Sequence, residues 1–164
     1  MTVKARHHYG MTAVLAVLLV AVTTFGAEAA ADRPSWGQTL YIPVYSHIYS
    51  GDREKPVYLA VTLSIRNTDP HEAITLTTVD YYNSEGHLIQ HYLDRPLDLP
   101  PMATVRYVVK ESDKAGGSGA NFIVHWQAAS AVNPPLTESI MISTASQLGI
   151  SFSSRGVPIG APTP

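Results

Sequence analysis

Residues 57–66 read Val-Tyr-Leu-Ala-Val-Thr-Leu-Ser-Ile-Arg, and this stretch decides the fold. Every second residue from Val57 to Ile65 is apolar, which is typical of a β-strand with one face on a hydrophobic core. The segment Asn67–Pro70 ends the strand, because proline has no N–H to donate and Asn and Asp side chains favour turns. This stretch therefore predicts a half-buried strand.

Similar stretches recur along the chain and predict about eight strands in all. Pro43 places the first of them at a sheet edge. Near Thr77 the apolar residues change from even to odd positions, which predicts a β-bulge. The other predicted strands are Leu40–Val44, Ile74–Tyr82, Leu88–Leu93, Val105–Val109, Phe122–Trp126, Ile140–Ile142 and Leu148–Phe152. With no convincing amphipathic helix, the pattern predicts an all-β fold, an antiparallel two-sheet immunoglobulin-like sandwich, with a small β-barrel as the alternative.

The start of the chain predicts export. Lys4 and Arg6 precede the apolar stretch Met11–Phe25, and small residues follow, with cleavage expected after Ala29 or Ala31. A permanent membrane helix needs roughly 20 apolar residues, so we expect a cleaved signal peptide and a periplasmic or secreted protein. The alternative is anchoring in the inner membrane through an uncleaved signal.

Composition narrows the class of protein further. The formal net charge is −2 and no basic patch appears, which argues against nucleic acid or anionic membrane surfaces as partners. The absence of cysteine excludes disulfides, thiol catalysis and lipidation of a cysteine at the mature N-terminus. We expect residues 1–31 to be the signal peptide, 32–157 a single β-sandwich domain and 158–164 a C-terminal tail.

The most glycine-dense segment is Lys114–Asn121. Phosphate-binding loops lead into a helix, whereas this segment leads into the predicted strand Phe122–Trp126. A serine-hydrolase elbow needs Gly-x-Ser-x-Gly, and Ala120 stands at its last position. The segment therefore favours a surface loop, and the sequence predicts neither an enzyme nor a cofactor.

The histidines around the predicted 83–86 hairpin loop suggest a metal site as an alternative. His87 and His91 flank a strand close to Asp80 and Glu85. In a strand, residues four apart share a face but lie about 13 Å apart. Zinc or copper would therefore need further ligands from neighbouring strands.

Tyrosine is the aromatic residue this chain uses most, with nine tyrosines against three phenylalanines. Three tyrosines stand at odd positions, whereas the apolar residues of Leu40–Val44 stand at even positions, so the two sets have opposite parity: Tyr41, Tyr45 and Tyr49. Tyr58 has the outward parity of its own strand. An outward aromatic face can stack on sugars or anchor a protein partner. Alternatively, these rings pack against loops, as outward tyrosines often do.

Arg155 follows the last predicted strand, where its guanidinium would bind a carboxylate or phosphate or would tie the tail to the domain. The main hypothesis is a non-enzymatic binding or protein-interaction module, whose partner is an envelope protein or a glycan. The alternatives are a metal-binding envelope protein and a structural component of the cell envelope. The residues predicted for the binding site are Tyr45, Tyr49, Asp80, Tyr82, Asn121 and Arg155.

Five ordered segments resemble an uncharacterised family of exported bacterial proteins, a domain of unknown function, over about residues 40–159. They are residues 40–46, 64–69, 79–82, 116–122 and 149–156, among them Leu-Tyr-Ile-Pro-Val-Tyr-Ser at the first and Gly-Gly-Ser-Gly-Ala-Asn-Phe at the fourth. The resemblance implies a bacterial source, export and a single domain. It brings no activity, substrate or site residues.

Overall fold

The computed structural model describes residues 33–144 and 149–159, and in these ranges the chain forms strands and no helix. The predicted signal peptide and the last residues of the predicted tail lie outside the described ranges. Among the described residues, no helix is long and apolar enough to cross a bilayer. The strands are β1 (Ser35–Pro43), β2 (His47–Ser50), β3 (Lys55–Tyr58), β4 (Ala60–Arg66), β5 (Ile74–Tyr82), β6 (Leu88–His91), β7 (Leu97–Leu99), β8 (Thr104–Val109), β9 (Asn121–Val132), β10 (Leu136–Ser143), β11 (Ile150–Arg155) and β12 (Val157–Ile159).

Two antiparallel sheets form the body of the fold. The first has the order β12-β1-β9-β5-β6, with β7 also paired to β5, and the second has the order β11-β10-β4-β8. β2 and β3 form a separate two-stranded hairpin. The predicted all-β antiparallel sandwich is confirmed. In the described ranges neither sheet closes on itself, so the barrel alternative is wrong.

The core lies between the two sheets. Val61, Leu63 and Ile65 of β4 are fully buried, which confirms the period-two pattern in this part of the predicted strand. The strand predicted from Val57 is divided, however, because Val57 and Tyr58 belong to β3 of the hairpin and β4 begins at Ala60. Trp126 of β9 is also buried in this core. Full burial of one such side chain contributes about 1.5–3 kcal/mol, and with no disulfide in the chain this packing is the main source of stability.

Long-range pairing changes the details of several strands. Pro43 does not mark an edge: β1 lies between β12 and β9, and β12 pairs only with residues 39–41, so the proline lies beyond that ladder. The predicted bulge is confirmed by the register shift between Leu76 and Thr78 against β9. β6 ends at His91 rather than Leu93.

One side of the sandwich is closed by the chain itself. β11 belongs to the second sheet and β12 to the first, so the chain changes sheets at Gly156, whose N–H donates to the Thr137 carbonyl at 2.9 Å. Pro158 and Ile159, which the sequence assigns to the tail, are strand residues of β12. Nearby, the Ser139 hydroxyl donates to the Pro43 carbonyl at 3.0 Å and so joins the two sheets.

The opposite side is built differently. β6 and β8 are the end strands of their sheets there, and no strand of the described ranges joins them. Tyr92, just after β6, crosses this side, and its hydroxyl donates to the Val108 carbonyl at 3.3 Å.

Candidate functional site

The residues predicted for the binding site lie on three different surfaces. Tyr45 and Tyr49 are near the β2–β3 hairpin, Asp80, Tyr82 and Asn121 are on the outer side of the first sheet, and Arg155 ends β11 of the second sheet. The sequence alone did not separate these surfaces.

The hairpin carries an aromatic face. Cross-strand pairing sets His47 opposite Tyr58 and Tyr49 opposite Pro56, and such opposed residues present their side chains on the same face. The His47 ring lies 5.1 Å from the Tyr49 ring and 6.0 Å from the Tyr58 ring, both edge-to-face. Tyr49 is 55% exposed. We call these four residues the hairpin face.

A lysine from another loop completes this surface. Lys114 Nζ lies 4.5 Å from the centre of the Tyr58 ring, a cation–π distance. On the reverse side of the hairpin, Ile48 packs against the core. The hairpin is therefore anchored from behind. On its aromatic side Tyr49 and Pro56 are exposed to solvent, and His47 and Tyr58 are half-buried.

The glycine-dense segment is hydrogen-bonded to the residue before the hairpin, Ser46, and to Ser84. The Ser46 N–H and hydroxyl both donate to the Gly117 carbonyl, each at 3.0 Å. The Ser84 N–H and hydroxyl donate to the Gly116 carbonyl at 2.9 and 3.1 Å. In turn, the Gly119 N–H donates to the Ser84 hydroxyl at 2.9 Å. These bonds hold the segment in a tight turn, which then enters β9 as predicted.

Tyr45 takes no part in the hairpin face. It is half-buried, and its ring packs edge-to-face against Phe152 of β11 at 5.7 Å. β1 ends at Pro43, and the chain turns before β2. The predicted outward row of Tyr41, Tyr45 and Tyr49 is therefore not continuous.

On the first sheet, Asp80 and Tyr82 alternate with the buried Val79 and Tyr81 and so face outward. Tyr82 lies opposite Asn121 in the β5–β9 ladder. The Asp80 carboxylate Oδ1 lies 2.7 Å from His91 Nδ1, with the histidine side chain 64% exposed and the aspartate side chain 13%.

The metal-site residues are only partly brought together. The Asp80–His91 contact confirms that these two residues lie close together across the β5–β6 hairpin, as predicted. Glu85 lies in the exposed loop of this hairpin, and His87 follows the loop. Among the described residues, no group of three or more His, Asp or Glu side chains could hold a metal ion.

Arg155 lies opposite Glu138 in the β10–β11 ladder, on the exposed side of the second sheet. The structure thus separates it from both the hairpin face and the outer side of the first sheet.

Sequence reasoning missed His47, Tyr58 and Lys114 as members of one site. The available signal was the outward parity of Tyr58 and the shared parity of His47 with Tyr49. Nothing local indicated that Lys114, from a distant loop, lies over Tyr58.

A protein family described as being of unknown function, DUF3124, matches residues 37–159. The chain belongs to the DUF3124 family. The match confirms the resemblance to an uncharacterised domain, and in this DUF3124 chain it spans nearly all of both sheets as well as the hairpin face.

A solved structure, described as the crystal structure of Thermotoga maritima 1070, is similar to this DUF3124 chain with a TM-score of 0.43 and 12% sequence identity. The similarity covers 73% of this chain and 92% of that one. No curated protein sequence matches the chain.

Proposed function

We propose that this protein is a non-enzymatic binding module of the periplasm or cell exterior, and that it holds a glycan on the hairpin face. The observation that carries the proposal is the cluster of His47, Tyr49 and Tyr58 rings on one open side of β2–β3. The proposal includes no chemical reaction.

The chemistry of the face suits a sugar. A tyrosine ring offers apolar area for the C–H groups of a sugar ring, and its hydroxyl offers a hydrogen bond at the rim. Tyr49 is the exposed ring of the cluster, and Lys114 adds hydrogen-bond donors beside Tyr58.

The hairpin is also held in position before any ligand binds. A two-stranded sheet is only marginally stable by itself. Here the Leu59 N–H donates to the Ser46 carbonyl at 3.0 Å at the base of the hairpin, and Ser46 is itself bonded to Gly117. A preordered face loses less conformational entropy on binding, which favours affinity.

The test is a glycan array probed with the purified protein and with two variants. Tyr49→Ala removes the exposed ring of the hairpin face, and Tyr82→Ala removes a ring from the outer side of the first sheet. We expect the wild type to bind a defined set of glycans and Tyr49→Ala to weaken that binding by about 1 kcal/mol or more, while Tyr82→Ala binds as the wild type does.

Binding that survives Tyr49→Ala would contradict the hairpin face as the site, and loss of binding in Tyr82→Ala alone would move the site to the first sheet. An array without any bound glycan would overturn the glycan proposal. Circular dichroism spectra of both variants serve as the control for folding.

A second candidate function is metal binding, favoured by the Asp80–His91 contact at 2.7 Å. Under this proposal, purified protein contains near-stoichiometric zinc or copper by elemental analysis, and His91→Ala removes it. A metal-free preparation whose melting temperature does not change with added Zn²⁺ or Cu²⁺ would rule it out.

A further inference from the structure

The open side of the sandwich contains a cavity of about 390 Å³. It lies beside β6 and β8, the end strands of the two sheets. Its lining includes Gln90, Tyr92, Lys110, Ser112 and Asp113, together with the last residues of β8. Its volume lies near the lower end of the range for small-molecule sites, about 300–1,000 Å³.

The apolar part of the lining is rigid. The Tyr92 ring packs against Phe122 at 5.6 Å and Tyr107 at 5.3 Å, and Phe122 in turn packs against Tyr81 at 5.1 Å. The Tyr92 hydroxyl is fixed by its bond to the Val108 carbonyl. A ligand would therefore meet an ordered aromatic surface.

Two opposite charges lie on the same lining. Lys110 and Asp113 are the ends of one turn, closed by the Asp113 N–H donating to the Lys110 carbonyl at 2.9 Å. The Asp113 carboxylate is oriented by the Ala115 N–H, which donates to Oδ1 at 2.8 Å. Among the described residues, no ion pair joins Lys110 to Asp113.

The carboxylate of Asp113 also acts on the aromatic residues around the cavity. Burial raises the pKa of Tyr92 above its ordinary value, and the negative charge of Asp113 raises it further. The same two causes raise the pKa of Tyr81. The charge of Asp113 thus acts on Tyr92 at the cavity and on Tyr81 behind it.

We propose that this cavity binds a free amino acid. The ammonium group of the ligand pairs with the Asp113 carboxylate, its carboxylate pairs with the Lys110 ammonium, and its side chain packs on the Tyr92 ring. A zwitterion matches the two separate charges, whereas a ligand with one charge leaves one of them without a partner. The site is distinct from the hairpin face and does not depend on the glycan proposal.

Isothermal titration calorimetry of the full chain with each of the twenty standard L-amino acids tests this site. We expect at least one to bind, and its N-acetyl and amide derivatives, which lack the ammonium or the carboxylate, to bind about tenfold more weakly. Lys110→Met and Asp113→Asn should each weaken binding about tenfold, and Asn at 113 can still accept the bond from Ala115.

Arg95→Met and Asp94→Asn are the matched controls, because they make the same charge changes in the loop after β6 and do not line the cavity. Binding should be unchanged in both. The proposal is overturned if no amino acid binds at millimolar concentration, if Lys110→Met and Asp113→Asn bind as the wild type does, or if the controls weaken binding as much. Tyr49→Ala should leave amino acid binding unchanged, which separates this site from the hairpin face.

Discussion

Replacing Gly116 by alanine should destabilise the protein strongly, because this glycine lies directly against the core. A Cβ added at Gly116 would lie 1.8 Å from the Tyr81 hydroxyl oxygen, 2.8 Å from its Cζ and 3.0 Å from Ala120 Cβ. Tyr81 is fully buried and packs against Phe122, so its ring has no room to move away. Overpacking a core costs about 1–3 kcal/mol, and these distances place Gly116→Ala near the upper end of that range.

Gly119→Ala is the matched control from the same loop. Its added Cβ would meet the Ser84 hydroxyl oxygen at 3.4 Å, which is an ordinary contact. We expect its free energy of unfolding to stay within about 0.5 kcal/mol of the wild type. Urea unfolding followed by tryptophan fluorescence and circular dichroism measures both variants.

A double-mutant cycle identifies the atom responsible. Tyr81→Phe removes the oxygen at 1.8 Å and leaves Cζ at 2.8 Å. Alone it should leave stability nearly unchanged, because the buried Tyr81 hydroxyl has no hydrogen-bond partner among the described residues. In the double variant, Gly116→Ala should cost about 1 kcal/mol less than in the wild type. Equal costs for Gly116→Ala and Gly119→Ala, or no recovery in the double variant, would refute the assignment of the close contact.

Two further predictions concern pH. The pKa of Asp69 is lowered from 3.8, first by the hydrogen bond from the His71 N–H and then by those from Asn133 and Glu72, so its stabilising effect is present above 3.8 and lost as the pH falls further. The difference in melting temperature between the wild type and Asp69→Asn should shrink from pH 6 to pH 3, and a constant difference would contradict the role of these bonds. Burial raises the pKa of Tyr107 from 10.0, so the unfolded chain loses this proton first and stability should fall above about pH 10. Tyr107→Phe should make urea midpoints measured at pH 9, 10 and 11 fall less steeply, and an unchanged slope would exclude Tyr107 as a contributor.

Local periodicity was enough to predict the type of fold. The alternation depends only on which face of a strand meets the core, and β4 follows it from Ala60 onward, whereas the break between β3 and β4 at Leu59 has no local signal. The bulge near Thr77 was predictable for the same reason, since an extra residue changes the parity of the side chains that follow. Neither inference needs knowledge of a distant part of the chain.

The neighbours of each strand could not be predicted in this way. Pro43 suggested an edge, but β12 pairs with β1 without reaching the proline. β12 itself is short and contains Pro158, so nothing in its sequence distinguishes it from a tail. These features depend on pairing between segments far apart in the sequence.

In the candidate sites, too, some features follow from local sequence and others depend on the tertiary fold. The proximity of Asp80 and His91 follows from a short hairpin, and it was predicted. The separation of Tyr45 from Tyr49 was not predicted, because parity carries information only within one strand and the chain turns at Ser46, where it bonds to Gly117. The contact of Lys114 with Tyr58 likewise requires the tertiary fold.

The position of β1 between β9 and β12 has a consequence for the order of folding. During synthesis β1 emerges first among the described strands, yet both of its neighbours are made much later, and β12 last of all. The first sheet therefore cannot be completed until the chain up to Ile159 has left the ribosome. Pairing over such long separations in sequence is slow, because the entropy of closing a long loop is lost before the contacts form. The newly made chain thus passes through a period in which β1 has no partner strand.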